Sequence, residues 1–101
     1  MRLDTICVQG GWKPGNGEAR VLPIYQSTTF KYDTSEQMGR LFDLEENGYF
    51  YTRLQNPTSD CVAAKIAELE GGVAALLSSS GQAGNFYSIV NLCEAGDHIV
   101  C

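Results

Sequence analysis

Between Asn56 and Gly84 the chain carries an ordered set of start and stop signals that leaves few ways to fold. Asn56 is a preferred helix N-cap. Pro57 suits the first helical position, where its missing N–H would have had no partner anyway. Val62, Ile66 and Leu69 then recur at four and three residues, which puts them on one apolar stripe of a helix. Gly71-Gly72 stops it. Val73-Ala-Ala-Leu-Leu77 is an apolar run of strand length, as for a strand buried on both faces. After the Ser78-Ser-Ser-Gly-Gln-Ala-Gly84 turn, residues 82–93 read as a second helix with Phe86, Ile89, Val90 and Cys93 inward. Glu94-Ala-Gly-Asp97 reads as a turn, and His98-Ile-Val-Cys101 opens another strand. Helix, strand, helix, strand predicts an α/β layer with a parallel pair and a right-handed crossover.

The half before Asn56 is different. Gly10-Gly-Trp-Lys-Pro-Gly-Asn-Gly17 is loop-like. Val21 to Tyr32 is rich in β-branched and aromatic residues but holds Pro23, so it reads as extended chain or an edge strand. Such a segment needs another surface to bury against. Thr34 with Gln37 three residues on forms a capping-box pattern and predicts a short helix with Met38, Leu41 and Phe42 on one face. Glu45-Glu-Asn-Gly48 ends it, with Gly48 suited to the left-handed position. Tyr49 to Arg53 is expected to be extended.

The charge balance, 12 acids against 7 bases for a net −5, disfavours nucleic acid as the main partner. No run of 18 apolar residues predicts a membrane span, and the N-terminus lacks the apolar core of a secretory signal. Cys7, Cys61, Cys93 and Cys101 form no Cys-x-x-Cys pair, and His98 has no partner at metal spacing. The even count allows two disulfides, but three of the four sit among apolar residues, and they read as buried free thiols of a reduced, cytoplasmic protein.

Two segments have the chemistry of anion binding. In the Ser78–Gly84 turn the first N–H groups of a helix are left without intrahelical partners, and Gly81 lets an anion approach the backbone. Ser79 and Ser80 can add hydroxyl donors. A capping turn with no ligand has the same composition. In Tyr51-Thr-Arg53 an extended chain would point both side chains to one side, so that a phenol and a guanidinium fork converge on one phosphate or carboxylate. An aromatic strand residue beside a surface ion pair fits the same two residues. No Walker or dinucleotide-binding glycine fingerprint is present.

Taken in order, Tyr-x-Arg-x-x-Asn-Pro-Thr at 51–58, Leu-Glu-Gly-Gly at 69–72, the apolar run and Ser-Ser-Gly-x-Ala at 79–83 resemble the Cys/Met-metabolism enzymes that use pyridoxal phosphate. Pro-Ile-Tyr-Gln-Ser-Thr-Thr-Phe at 23–30 and Glu-Ala-Gly-Asp-His at 94–98 extend the resemblance from about Thr5 to Cys101. The stretch Leu41 to Tyr51 looks most like the O-acetylhomoserine sulfhydrylase branch. Cystathionine γ-synthase, cystathionine γ-lyase and methionine γ-lyase are the alternatives within the family.

The resemblance implies an aspartate-aminotransferase-like fold (fold type I). Residues 1–57 would be an N-terminal intersubunit arm and 58–101 the beginning of the cofactor-binding α/β domain. It implies pyridoxal 5'-phosphate as cofactor, a small amino-acid substrate, and identical subunits in a dimer of dimers. Tyr51 and Arg53 would hold the cofactor phosphate in the neighbouring subunit's site. The N–H groups of Gly81 and Gln82 would hold it in their own; many members have Met at the position of Gln82. The family's cofactor-bearing lysine, ring-stacking tyrosine and acid lie beyond the matched stretch, and Lys13, Lys31 and Lys65 do not sit in that lysine's context. Lys65 is expected to be solvated. The chain is therefore expected to be a fragment of such an enzyme, without catalytic residues or activity of its own. A non-catalytic assembly module is the alternative outside enzymes.

Overall fold

In the computed structural model, which describes residues 1–101, four helices form; three of them were expected, and the caps read from the sequence start two of these. Helix α1 spans Leu3–Gln9, α2 Ser35–Phe42, α3 Pro57–Glu70 and α4 Gly81–Val90. Thr34 caps α2, its Oγ1 accepting from the Gln37 N–H at 3.2 Å. Asn56 caps α3, its Oδ1 accepting from the Thr58 N–H at 2.8 Å. Gly71 ends α3 in the left-handed conformation, φ 66°, and both Gly71 and Gly72 donate to the Ala67 carbonyl.

Helix α1 was not expected. It lies within residues 1–57, expected to be an arm, just before the loop-like stretch Gly10–Gly17, and its docking explains it. It packs on α3, the one helix–helix contact in the chain. Gly10 and Gly11 allow this approach. A Cβ on Gly11, whose φ is 78°, would stand 2.2 Å from the Cys61 carbonyl, and one on Gly10 would stand 3.1 Å from Glu68 Oε2. Lys65 is not simply solvated: its Nζ donates to the Cys7 carbonyl at 3.2 Å. That puts a cation at the carbonyl end of α1, where the helix dipole favours one.

A second cluster forms around Leu41, the one large side chain buried completely. Phe50 is also buried, with the Phe42 ring 4.9 Å from its own. The Tyr32 hydroxyl donates to the Tyr49 carbonyl at 2.6 Å, and the Phe30 and Tyr49 rings lie 5.8 Å apart. Helix α2 stops earlier than expected, and Leu44 rather than Gly48 takes the left-handed conformation, φ 60°. Gly48 serves close approach instead. A Cβ there would stand 2.8 Å from Tyr32 Oη and 2.9 Å from Leu41 Cδ2.

The strands are the main departure. Residues 73–78 and 98–101 follow no helix, but they pair with nothing, so the expected parallel pair is absent. The one β-bridge is antiparallel, Thr29 to Tyr51. A strand is stable only beside a partner that takes up its backbone groups, and a sheet of two or three short strands has little to hold it. Val73 and Val100 are fully exposed and Leu76 nearly so. Helix α4 ends at Val90, short of residue 93, because the chain turns there, with Leu92 and Cys93 donating to the Ile89 carbonyl. Phe86, Ile89 and Val90 face solvent rather than a core, as do Val62 and Ile66 of α3. Cys61 and Cys93 are half-buried and Cys7 and Cys101 exposed, so the thiols are free but not buried. The turn at 94–97 is as expected, with Glu94 N–H on Asp97 Oδ2 at 2.7 Å.

Only 5 of 101 residues are buried, and the radius of gyration is 17.1 Å, where a compact domain of this size has about 13 Å. The helices are set by local signals, and the faces meant for a core stand open. No helix is long and apolar enough to cross a membrane.

Gly48→Ala is expected to destabilise the Leu41 cluster by about 1–3 kcal/mol, the usual cost of overpacking. Removing the clashing hydroxyl with Tyr32→Phe in the same chain should recover part of that loss. Thermal unfolding of the single and double variants checks it; a neutral Gly48→Ala would mean the space is not needed.

Candidate anion-binding site

Two sets of donors meet the chemistry of an anion, and each is positioned by its own local structure. At Tyr51 the chain leaves the Thr29–Tyr51 bridge, flanked by Thr52 N–H on the Thr28 carbonyl at 2.9 Å, and enters a tight turn. Leu54 and Gln55 both donate to the Tyr51 carbonyl, at 3.0 and 3.1 Å. Residues 51–55 are therefore turned rather than extended. Tyr51 and Arg53 come together even so, because the turn folds the Arg53 guanidinium over the Tyr51 ring, 5.0 Å from its centroid. Cation–π contact at an exposed site contributes about 0.5–1 kcal/mol, enough to bias the side chain but not to neutralise it.

Arg53 is exposed and has no carboxylate partner; the ion pairs in the chain are Lys31–Asp33 and Arg40–Glu46. Within these 101 residues the geometry does not give Arg53 the ion-pair partner that the alternative reading needs. A guanidinium held by an aromatic face, with its N–H fork unpaired, fits a phosphate or carboxylate.

The second set is the start of α4. Ser80 Oγ accepts from the Ala83 N–H at 3.1 Å, and the Ser80 carbonyl accepts from the Gly84 N–H. The Ser78 hydroxyl donates to the same carbonyl at 3.0 Å. The N–H groups of Gly81 and Gln82, at the first two helical positions, have no acceptor within the helix. Both residues are exposed, and open space surrounds the place where a Gly81 Cβ would be. Gln82 Oε1 accepts from the Asn85 side chain at 3.3 Å, so its own amide group turns along the helix. No hydrogen bond or ion pair joins the Tyr51–Arg53 turn to the start of α4, and α4 touches no other helix. Each set is thus open to a ligand, and the chain does not itself assemble them into one pocket.

One titration is displaced nearby. Burial pushes the Tyr49 phenol above its ordinary 10.0, and Asp60 adds to this as a hydrogen-bond partner and as a charge, with Tyr25 contributing. Tyr49 is therefore a neutral donor at physiological pH. Its contribution to stability is present below the ordinary value and is lost as pH rises through the raised one.

What the sequence did not mark is the role of Thr52 and Asn56 behind the Tyr51–Arg53 turn. Asn56 was legible as a cap, but its buried amide also binds Tyr25 and Thr52. The available signal was a polar residue sitting both as N-cap and directly after a turn, which can bond in two directions.

The chain belongs to the Cys/Met metabolism PLP-dependent enzyme family, whose model matches residues 4–101. Among its relatives, the O-acetyl-L-homoserine sulfhydrylase of Leptospira meyeri is 43% identical over 101 residues, 99% of this chain and 23% of that protein. The L-methionine gamma-lyase of Fusobacterium nucleatum is 44% identical over 98 residues, 97% of this chain and 25% of that protein. In structure, an O-acetylhomoserine (thiol)-lyase from Campylobacter jejuni, solved with a pyridoxyl-lysine monophosphate, superimposes with a TM-score of 0.85 and 34% identity. The superposition covers 96% of this chain and 23% of that one. The chain thus spans about a quarter of the length of the relatives it matches. Its open shape is that of the corresponding part of a larger fold, and the fold class implied by the resemblance is the one found, although no strand of it pairs within these residues.

Gly81→Ala is expected to leave α4 intact or slightly more stable, since no atom of the chain occupies the added methyl's place and alanine is the better helix former. Circular dichroism of the 101-residue chain checks this. A loss of helix would show that the glycine is there for the backbone rather than for a ligand's approach.

Proposed function

We propose that these residues are the N-terminal part of a cytoplasmic enzyme that converts O-acetyl-L-homoserine and sulfide into L-homocysteine and acetate. One observation supports this most directly: the family match runs through both donor sets, and sulfhydrylases are among the relatives it resembles along its whole length. Pyridoxal 5'-phosphate, when bound, supplies the electron sink that lets acetate leave the γ-carbon. The donors present fit its phosphate: an unpaired guanidinium on an aromatic face, and two free N–H groups at a helix start with an open glycine.

In this reading residues 1–57 are an intersubunit arm and 58–101 open the cofactor-binding domain. Gly81 and Gln82 donate to the phosphate of their own subunit's site, while Tyr51 and Arg53 reach the site of the partner. The missing contact between the two sets supports that division. So do the exposed apolar side chains of Val21 and Ile24, at 80% and 75%, which call for a covering surface. The assembly is a dimer of dimers. The 101 residues anchor and orient the cofactor and hold neighbouring subunits; they contain no lysine in the cofactor's context and no residue placed to move a proton on the substrate.

Methionine γ-lyase chemistry is the second reading, favoured by the identity to the Fusobacterium protein. Assay of the full-length enzyme separates the two. Sulfide-dependent homocysteine formation from O-acetyl-L-homoserine supports the first, and methanethiol release from methionine without it supports the second.

The isolated 101-residue chain is expected to show no sulfhydrylase activity; homocysteine formed by chain purified free of host enzyme would overturn this. In the full-length enzyme, Arg53→Ala is expected to weaken cofactor affinity roughly ten- to a hundredfold, the loss of a charge-assisted hydrogen bond of about 1.5–3 kcal/mol. Arg53→Lys should recover only part, because the fork is gone. Mixing an Arg53→Ala variant with one lacking the cofactor lysine should restore partial activity, since mixed dimers then contain one intact site. Mixtures that stay inactive after subunit exchange would place Arg53 in its own subunit's site.

A further inference from the structure

Arg53 is exposed and Tyr51 and Thr52 are half-buried, and their turn is tied down from behind by one buried amide. Asn56 is 3% exposed, and each hydrogen-bonding direction of its side chain is used. Oδ1 accepts from the Thr58 N–H at 2.8 Å. Nδ2 donates to the Tyr25 carbonyl at 3.0 Å and to Thr52 Oγ1 at 3.0 Å. Thr52 Oγ1 in turn donates to the Ser27 carbonyl. Thr58 Oγ1 closes the loop by accepting from the Tyr25 N–H at 2.9 Å. The network thus joins three segments: the 25–29 stretch, the 51–55 turn and the start of α3. Thr52 is the residue between the phenol and the guanidinium.

We propose that Asn56 and Thr52 form a positioning pair for the anion donors Tyr51 and Arg53, fixing their turn against the 25–29 stretch so that guanidinium and phenol face a ligand together. This rests on the reading of Arg53 as a phosphate ligand. A buried amide leaves no slack. If Nδ2 is removed, the Tyr25 carbonyl and Thr52 Oγ1 lose their shared donor, and the turn is free to shift. The cap is a separate duty of the same side chain, carried by Oδ1. Asn56→Ser can keep a cap while removing both Nδ2 donors. Thr52→Val removes the same link from the other end at nearly constant volume, with no effect on the cap. Neither variant adds a charge near the phosphate.

The test uses the full-length holoenzyme and reads cofactor affinity by titrating pyridoxal phosphate back into apoenzyme and following its visible absorbance. Apoenzyme thermal stability is read in parallel. Asn56→Ser and Thr52→Val are each expected to weaken cofactor affinity about tenfold, the scale seen when groups supporting a ligating residue are removed. In an Arg53→Ala background both should have little further effect, because there is no longer a guanidinium to position. Unchanged affinity in the two single variants, with Arg53→Ala impaired, overturns the positioning role and leaves the phosphate site standing. Losses that persist in full in the Arg53→Ala background also overturn it, since the pair would then act through general stability. If Arg53→Ala itself leaves affinity unchanged, the phosphate-site reading fails and this role with it.

Discussion

The Asn56 side chain is the point on which the two halves of the molecule depend. The chain before it has few regular elements, and the chain after it is a helix started by its cap. A single buried amide satisfies the first turn of α3, the Tyr25 carbonyl and the Thr52 hydroxyl. Without it the 25–29 stretch would be held to the rest by the Thr29–Tyr51 bridge, its neighbouring backbone bonds and the Thr58 contacts. Buried polar groups hold geometry tightly because the alternative is an unpaired dipole in a poorly hydrated place. The turn that carries Tyr51 and Arg53 is joined to that amide through Thr52.

The rest of the molecule is defined by what it does not cover. Helices α3 and α4 carry apolar side chains with no partner, and residues 73–78 have the composition of an interior strand without a sheet. Caps and backbone bonds within each helix keep these elements formed, yet few side chains gain the burial that stabilises a domain. The same open arrangement superimposes on about a quarter of a longer solved chain, at a TM-score of 0.85.

The two donor sets differ in how they are made. The start of α4 is generic: any helix leaves its first N–H groups free, and Gly81 adds only access. The Tyr51–Arg53 pair is specific, because a turn, an aromatic face and a buried network behind it select one side-chain arrangement. Charge alone would not do so, since an exposed arginine without a partner explores many rotamers.

The helices were legible because their signals are local. Thr34 with Gln37, Asn56 with Pro57, Gly71-Gly72 and Ser80 each act within a turn of the residue they cap, so the order of residues determines them. The residue types of the site were legible for the same reason: a guanidinium, a phenol and a glycine at a helix start have fixed chemistry. Tertiary structure decided the rest. Helix α1 exists because Gly10 and Gly11 let it reach α3, and Lys65 binds its end, contacts made across fifty residues or more. Gly48 is a space for Tyr32 and not a helix stop, which depends on where a ring comes from elsewhere in the chain. Tyr51 and Arg53 meet through a turn rather than along a strand. The apolar runs at 73–77 and 98–101 remain unpaired because a strand is a property of two segments, and their composition specifies only one of them.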